Sequence, residues 1–268
     1  MPEGPEVKRF GRDLAKVVSG RYLDDVKVLS GRYTKKEMAG LSDLIEQLPT
    51  RVIGVGVHGK FLYWILQNGY FLYSSLGMTG RWGSKRLEHS RVEISFSDET
   101  TVFFTDQRNF GTLKFVYGKH QLQKKLNSLG PDMLSEDVSH IKFADRIRKK
   151  ESWSIVKAIM DQSVIAGVGN YVKAEALWRS ELSPHRNVSS LTDVEANTLN
   201  ESIKNVLRES YENGGATIRS YKQFDGSSGQ YARRFAVYNQ KYDPDGHEVV
   251  REKTQDGRTT HWVPQVQK

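Results

Sequence analysis

Between residues 51 and 117 the chain offers six short runs, RVIGVGV, KFLYWIL, YFLYSSL, RVEISF, TVFF and TLKFVY, with turns between them. They are rich in β-branched and aromatic side chains, which suit a pleated, half-buried surface. So many short strands in succession predict an antiparallel sandwich or barrel. Gln67-Asn68-Gly69 falls between the second and third runs, and Asn-Gly is a strong hairpin signal because both residues tolerate positive φ. Ahead of the strands, Val7, Phe10, Leu14 and Val17 recur at helical spacing and predict one amphipathic helix over residues 5–18.

The pattern changes after LGPDMLSED at 129–137. SIVKAIMDQSVI sets Ile155, Ile159 and Met160 on one helical face, the run halts at AGVGN, and a second helix continues through YVKAEALWR. The next helix is punctuated at both ends. Thr192 and Glu195 form a capping box, Leu199, Ile203, Val206 and Leu207 keep the apolar period, and Gly214 suits the C-terminal cap. GSSG at 226–229 reads as a short flexible loop, and HEVVREK and RTTHWV pair about Asp256-Gly257 as a terminal β-hairpin. At 268 residues the chain is long enough for two cores, and its class is α+β.

Forty Lys and Arg against 32 Asp and Glu leave a net charge of +8, which suits a polyanionic partner because bound phosphates release counterions. Cysteine is absent, which excludes disulfides, thiol nucleophiles and Cys-ligated zinc, and the seven scattered histidines form no H-E-x-x-H. A carboxylate-only magnesium site stays open, but no metal and no cofactor are expected. No apolar run approaches the roughly 18 residues of a membrane span. The N-terminus lacks the cationic-then-apolar pattern of a secretory signal, so an intracellular protein without a membrane partner is expected, nucleus and cytoplasm fitting equally.

Two motifs carry chemistry. In G-V-G-N at 167–170 the N–H groups of Gly167 and Gly169 are sterically unobstructed and the following helix offers its positive end, which makes a phosphate cradle. A close helix–helix turn that needs glycine for packing alone is the alternative. TDQRNFG at 105–111 joins a cation to an aromatic in a loop between strands. Arg108 and Phe110 there are either a wedge for a base stack or parts of a solvated turn with a buried Phe.

PEGPEV at the terminus, GKFL at 59–62, LGMTG at 76–80, DQRNFG, LGPD and DQSVIAGVGNY occur in this order. By these motifs the sequence resembles the formamidopyrimidine-DNA glycosylase/endonuclease VIII family over essentially its whole length. The resemblance implies an N-terminal β-sandwich catalytic domain with a flanking helix over 1–130 and a linker at 131–148. It further implies a helix-two-turn-helix domain over 149–234 and a finger hairpin over 235–268. The activity implied is that of a bifunctional DNA glycosylase/AP lyase of base excision repair, working as a monomer on damaged double-stranded DNA. Base excision would pass through an N-terminal proline Schiff base, and strand cleavage would follow by β/δ-elimination.

Residue roles follow from the same resemblance. Pro2, exposed once Met1 is removed, is the expected nucleophile; a free α-amine has a pKa of about 7.7–8, far below the about 10.4 of lysine. Glu3 is the expected acid–base group. Lys60 in GKFL matches a lysine that contacts the DNA backbone and the lesion. Asn170 matches a phosphate-binding asparagine, beside Gly167 and Gly169 of the same turn. Glu175 matches a carboxylate facing the N-terminal amine and Glu6 a supporting one; each is otherwise a solvated helix glutamate. Met78, Arg108 and Phe110 match three residues that fill the void left by a flipped nucleotide.

Where zinc-bearing members end in C-P-x-C-Q this chain reads VPQVQ, with Val263 and Val266 at the cysteine positions and Asp-Gly-His-Glu at 245–248 near the first pair. The resemblance is therefore to the zincless-finger, endonuclease VIII-like branch, and Arg258 matches the finger arginine that reaches DNA. For the lesion the signals are mixed. GNYVKAE is more similar to enzymes for oxidised pyrimidines, whereas the void triad and GGATIRSYKQFDGSSGQY are more similar to those for oxidised purines. Hydantoin and formamidopyrimidine lesions are the expected substrates. A catalytically silent DNA-damage binding module is the alternative, and a carboxylate-metal nuclease is a third reading.

Overall fold

The computed structural model describes residues 2–216, 224 and 229–268. The first three residues of GSSG and most of the GGATIRSYKQFDGSSGQY segment lie outside the described residues. Contacts divide the chain into two units, one built on Glu6–Asn127 and one on Glu3–Pro5, Ser128–Ala216 and Gln230–Lys268.

In the first unit, helix α1 (Gly4–Val18) buries Val7, Phe10, Leu14 and Val18. Val18, four residues after Leu14, takes the buried position expected for Val17, which stays half-buried against the same cluster. The strands are β1 (Tyr22–Val28), β2 (Thr50–His58), β3 (Phe61–Leu66), β4 (Tyr70–Ser75), β5 (Arg81–Gly83), β6 (Ser90–Phe96), β7 (Thr101–Thr105) and β8 (Thr112–Tyr117). Short helix α2 (Leu41–Ile45) precedes β2, and α3 (Lys119–Asn127) follows β8. All pairings are antiparallel in the order β5-β7-β6-β1-β2-β3-β4-β8.

Two four-stranded halves meet between β1 and β2 at Tyr22↔Arg51 and Leu23↔Thr50. Trp64 of β3 packs on Trp82 of β5 at 5.0 Å between ring centroids, and Trp82 on Phe104 of β7 at 5.3 Å, so the inner faces of the halves share one core. Strict alternation in β3 and β6 keeps every second residue in that core. At the β3–β4 hairpin only Gly69 is left-handed, with φ +85. Its N–H donates to Leu66 O, so the connection is a type I-like turn closed by a glycine rather than a two-residue turn with two positive φ values.

The second unit contains α4 (His140–Arg148), α5 (Ile155–Met160), α6 (Asn170–Arg179), α7 (Asp193–Glu212) and the hairpin of β9 (Val250–Lys253) and β10 (Thr259–Trp262). The stretch 131–148, expected as a linker, includes α4, whose Phe143, Ala144 and Ile147 are buried. Helix α5 stops at Met160, earlier than its apolar pattern, because Asp161 turns extended and its carboxylate accepts the Ser163 N–H at 2.7 Å. The Thr192–Glu195 capping box forms, and the left-handed Gly214 follows the C-cap Asn213. Helix α6 departs furthest from a surface helix: every residue from Tyr171 to Leu177 is buried, Lys173 and Glu175 included.

Candidate functional site

Burying α6 on all sides requires partners for its first-turn N–H groups and its charges, and these come from both ends of the chain. The Glu3 carboxylate accepts the N–H of Tyr171 at 2.9 Å and of Val172 at 3.3 Å, in the first turn of α6, where an anion also meets the positive end of the helix. Gly4 N–H donates to Gly167 O at 2.9 Å. Gly169 makes this seat possible, since a Cβ there would lie 2.1 Å from the Glu3 carboxyl carbon. Pro2, next to Glu3, is buried.

The cradle read into G-V-G-N is thereby narrowed. The Gly167 N–H is not open to a phosphate, because it donates to Gln162 Oε1 at 3.0 Å. The N–H groups at the start of α6 hold the Glu3 carboxylate instead. Asn170 Nδ2 donates to Thr259 O at 2.9 Å, and its buried Oδ1 has no partner among the described residues. Glu175 takes the N–H groups of Ala236, Val237 and Tyr238 at 2.8–3.0 Å, which ties α6 to the chain entering the finger. Burial pushes the Glu175 carboxyl up from its ordinary range, against those three bonds that favour its anion.

The finger turn is held from the same helix. Lys173, fully buried, pairs with Asp256 at 2.5 Å. Burial draws the lysine down from its ordinary range, and Asp256 opposes that by favouring the charged form. Asp256 Oδ1 also accepts the Thr254 hydroxyl at 2.7 Å and the Arg258 N–H at 3.2 Å. The β9–β10 connection spans five residues, 254–258, with Gly257 left-handed at φ +73 and its N–H on Thr254 O. This braced loop presents Arg258 as an exposed side chain.

Val263 is wholly buried with Ala174, Val237 and Val249, and Val266 packs on that cluster, so these positions do not fit a thiolate metal centre. Asp243, Asp245 and His247 come within metal-ligand distance of one another. The Asp243 carboxylate is already spent on the N–H groups of Asp245 and His247, the His247 ring and Trp178 Nε1. These three residues form a turn.

In the first unit, Met78, Arg108 and Phe110 come together from two loops. Arg108 Nη1 lies 3.2 Å from Met78 Sδ, and its guanidinium carbon 4.7 Å from the Phe110 ring centre. Phe110 is 52% exposed, so the solvated-turn reading with a buried Phe does not hold. Asp106, fully buried, accepts the Thr79 hydroxyl and, at 2.6 Å, the Gly111 N–H. Lys60 is half-buried at the β2–β3 turn, just after the left-handed Gly59, and Glu6 is buried in the first turn of α1.

Sequence reasoning singled out neither Asp106 and Thr79 nor the pair Lys173 and Asp256 as part of the site. A lysine set in the largely apolar run Y-V-K-A-E-A-L was a usable signal for the pair, because an unpartnered buried charge is costly.

Three family models match in succession: the formamidopyrimidine-DNA glycosylase N-terminal domain over residues 1–113, its H2TH domain over 129–222 and its C-terminal domain over 231–268. A formamidopyrimidine-DNA glycosylase of Shouchella clausii is 34% identical over 276 residues, covering 100% of this chain and 99% of the relative. One from Listeria innocua is 33% identical over 280 residues, with 100% of both chains covered. Among solved structures, MutM (Fpg) from Thermus thermophilus has a TM-score of 0.88 at 33% identity, covering 99% of this chain and 98% of that one. A mutant Lactococcus lactis Fpg in complex with Fapy-dG-containing DNA has a TM-score of 0.89 at 26% identity, with 100% of both chains covered.

Proposed function

The chain belongs to the formamidopyrimidine-DNA glycosylase family, and from that premise we propose that it is a bifunctional DNA glycosylase/AP lyase of base excision repair, acting as an intracellular monomer on damaged double-stranded DNA. The observation that carries this reading is the seat of Glu3: a carboxylate fixed on the first turn of α6 by two N–H bonds, one residue from Pro2. Pro2, freed of Met1, attacks C1′ of the damaged nucleotide; the C1′–base bond breaks, and the base leaves with its electron pair. Glu3, held in one orientation, moves the protons of this exchange. The Pro2 nitrogen lone pair then breaks the C1′–O4′ bond, O4′ takes up a proton and the opened sugar is left as an iminium. This acidifies the C2′ proton, whose removal expels the 3′ phosphate in β-elimination. A second elimination releases the 5′ phosphate.

Lys60 and Arg258 place cations on the phosphates and the lesion, and Asn170 contributes to the same phosphate contacts. Glu6 and Glu175 support the frame, Gly167 and Gly169 let the terminus approach α6, and Met78, Arg108 and Phe110 fill the emptied stack. Hydantoin and formamidopyrimidine bases are the proposed lesions. Borohydride added during reaction with an abasic-site duplex is expected to trap a covalent adduct at Pro2, because reducing the iminium makes the bond permanent. Glu3→Gln should lose base excision while part of the abasic-site cleavage survives. Equal trapping with Met1 retained would overturn the assignment of Pro2.

A further inference from the structure

Two loops far apart in sequence build the exposed Met78–Arg108–Phe110 cluster, and such loops need something to hold them as one body. The buried Asp106 carboxylate does this. Oδ1 takes the Thr79 hydroxyl of the first loop, and Oδ2 takes the Gly111 N–H at the end of the second, at 2.6 Å. Thr79 Oγ1 in turn accepts the Arg108 N–H at 3.0 Å, so one hydroxyl links the buried acid to the backbone of the wedge arginine. The loops touch directly where Gly77, at φ +57, meets Gly111; a Cβ on Gly77 would lie 2.8 Å from Gly111 N. The second loop is braced from behind as well. Arg91 Nε donates to Asp106 O at 2.9 Å, and Arg32 donates to Asn109 O, holding Asn109 in its left-handed conformation.

We infer that Asp106 and Thr79 are positioning residues that lock the two loops into a single rigid wedge, and that duplex processing depends on this lock. The inference rests on the glycosylase reading above. Inserted side chains offset the cost of extruding a nucleotide only if they are held in place before the duplex arrives, since ordering them on binding would consume the gain. A single-stranded lesion requires no stack to be filled. The lock therefore affects duplex and single-stranded substrates differently.

Thr79→Val keeps the shape and removes the hydroxyl from a half-buried position. It is expected to lower the thermal midpoint modestly, because the buried Asp106 Oδ1 loses its donor, and to leave single-strand excision, measured well below that midpoint, near wild type. On the duplex it should lose about tenfold, or about 1.4 kcal/mol of barrier. Thr79→Val combined with Arg108→Ala should lose no more than Arg108→Ala alone, because one residue acts through the other. Asp106→Asn provides a second variant if its fold holds, with the same selective loss. Equal losses on both substrates, additive losses in the double variant, or an unchanged duplex rate would each overturn the lock. If the wild-type protein excises nothing from either substrate, the glycosylase reading has failed instead.

Discussion

Two loops of this molecule present an arginine to solvent, and each is built around an aspartate that is almost wholly withdrawn from it. Arg108 stands over Asp106 and Arg258 over Asp256. In both loops the aspartate accepts a threonine hydroxyl and a backbone N–H, Thr79 and Gly111 in one case, Thr254 and Arg258 in the other. The difference lies in the remaining partner. Asp256 faces the buried ammonium of Lys173, whereas the donors to the Asp106 carboxylate are neutral. Hydrogen bonds between neighbouring loops suffice where the sandwich already fixes both loop ends. A two-stranded hairpin is marginal by itself and gains its anchor from a helix outside it.

The comparison breaks first at Lys173. Lys173→Met leaves Asp256 buried and unpaired, a change that costs about 3–5 kcal/mol in comparable buried pairs. Denaturant unfolding should report that loss, and adding Asp256→Leu should recover most of it, since a matched apolar pair needs no ion. Full stability in the single variant would show that the ion pair does not hold the finger.

The arginines themselves should separate stability from function. Both are exposed, so Arg108→Ala and Arg258→Ala are each expected to shift unfolding by no more than about 0.5 kcal/mol. Their substrate effects should differ: Arg258→Ala weakens processing of damaged duplex severely, and Arg108→Ala spares single strands. Measuring both variants on both substrates sharpens the contrast, and matching losses from Arg108→Ala on the two substrates would erase it.

The smallest effect concerns acid. His261, buried in the finger, has its pKa lowered from 6.5 to about 4 by burial and by the charges of Arg251 and Lys173. The unfolded chain binds this proton at higher pH than the folded one. The contribution is therefore complete above pH 6.5 and is lost as pH falls from there through about 4. Stability measured at pH 7 and at pH 4.5 should differ less in His261→Gln than in the wild type, and an equal difference would remove His261 from the account.

Much of this was legible in the sequence because it is local. The six strand runs and the Thr192–Glu195 cap depend on neighbours in the chain, and they stand where composition, turn signals and cap residues put them. Strand β1 was missed because Asp24-Asp25 interrupts the β-forming pattern, and β5 because three residues carry no period. The wedge residues were named from a motif, but not what holds them, since Thr79 and Asp106 are 27 residues apart. The phosphate cradle was read too broadly for a related reason. From sequence its N–H groups looked unoccupied, yet the carboxylate that takes those of α6 enters from residue 3, 168 positions away.

Helix α6, buried on every side, has a consequence for how the second unit comes apart. Its two fully buried ionisable side chains find their partners in the finger, Lys173 in Asp256 and Glu175 in the N–H groups of 236–238. Peeling the finger away would strip both charges of their partners at once and open the surrounding core to water. Partial opening is therefore disfavoured relative to complete opening, and the hairpin and α6 behave as one cooperative block. In amide hydrogen exchange such a block gives up its protons together, so the terminal hairpin should be protected to the same degree as the helix beneath it.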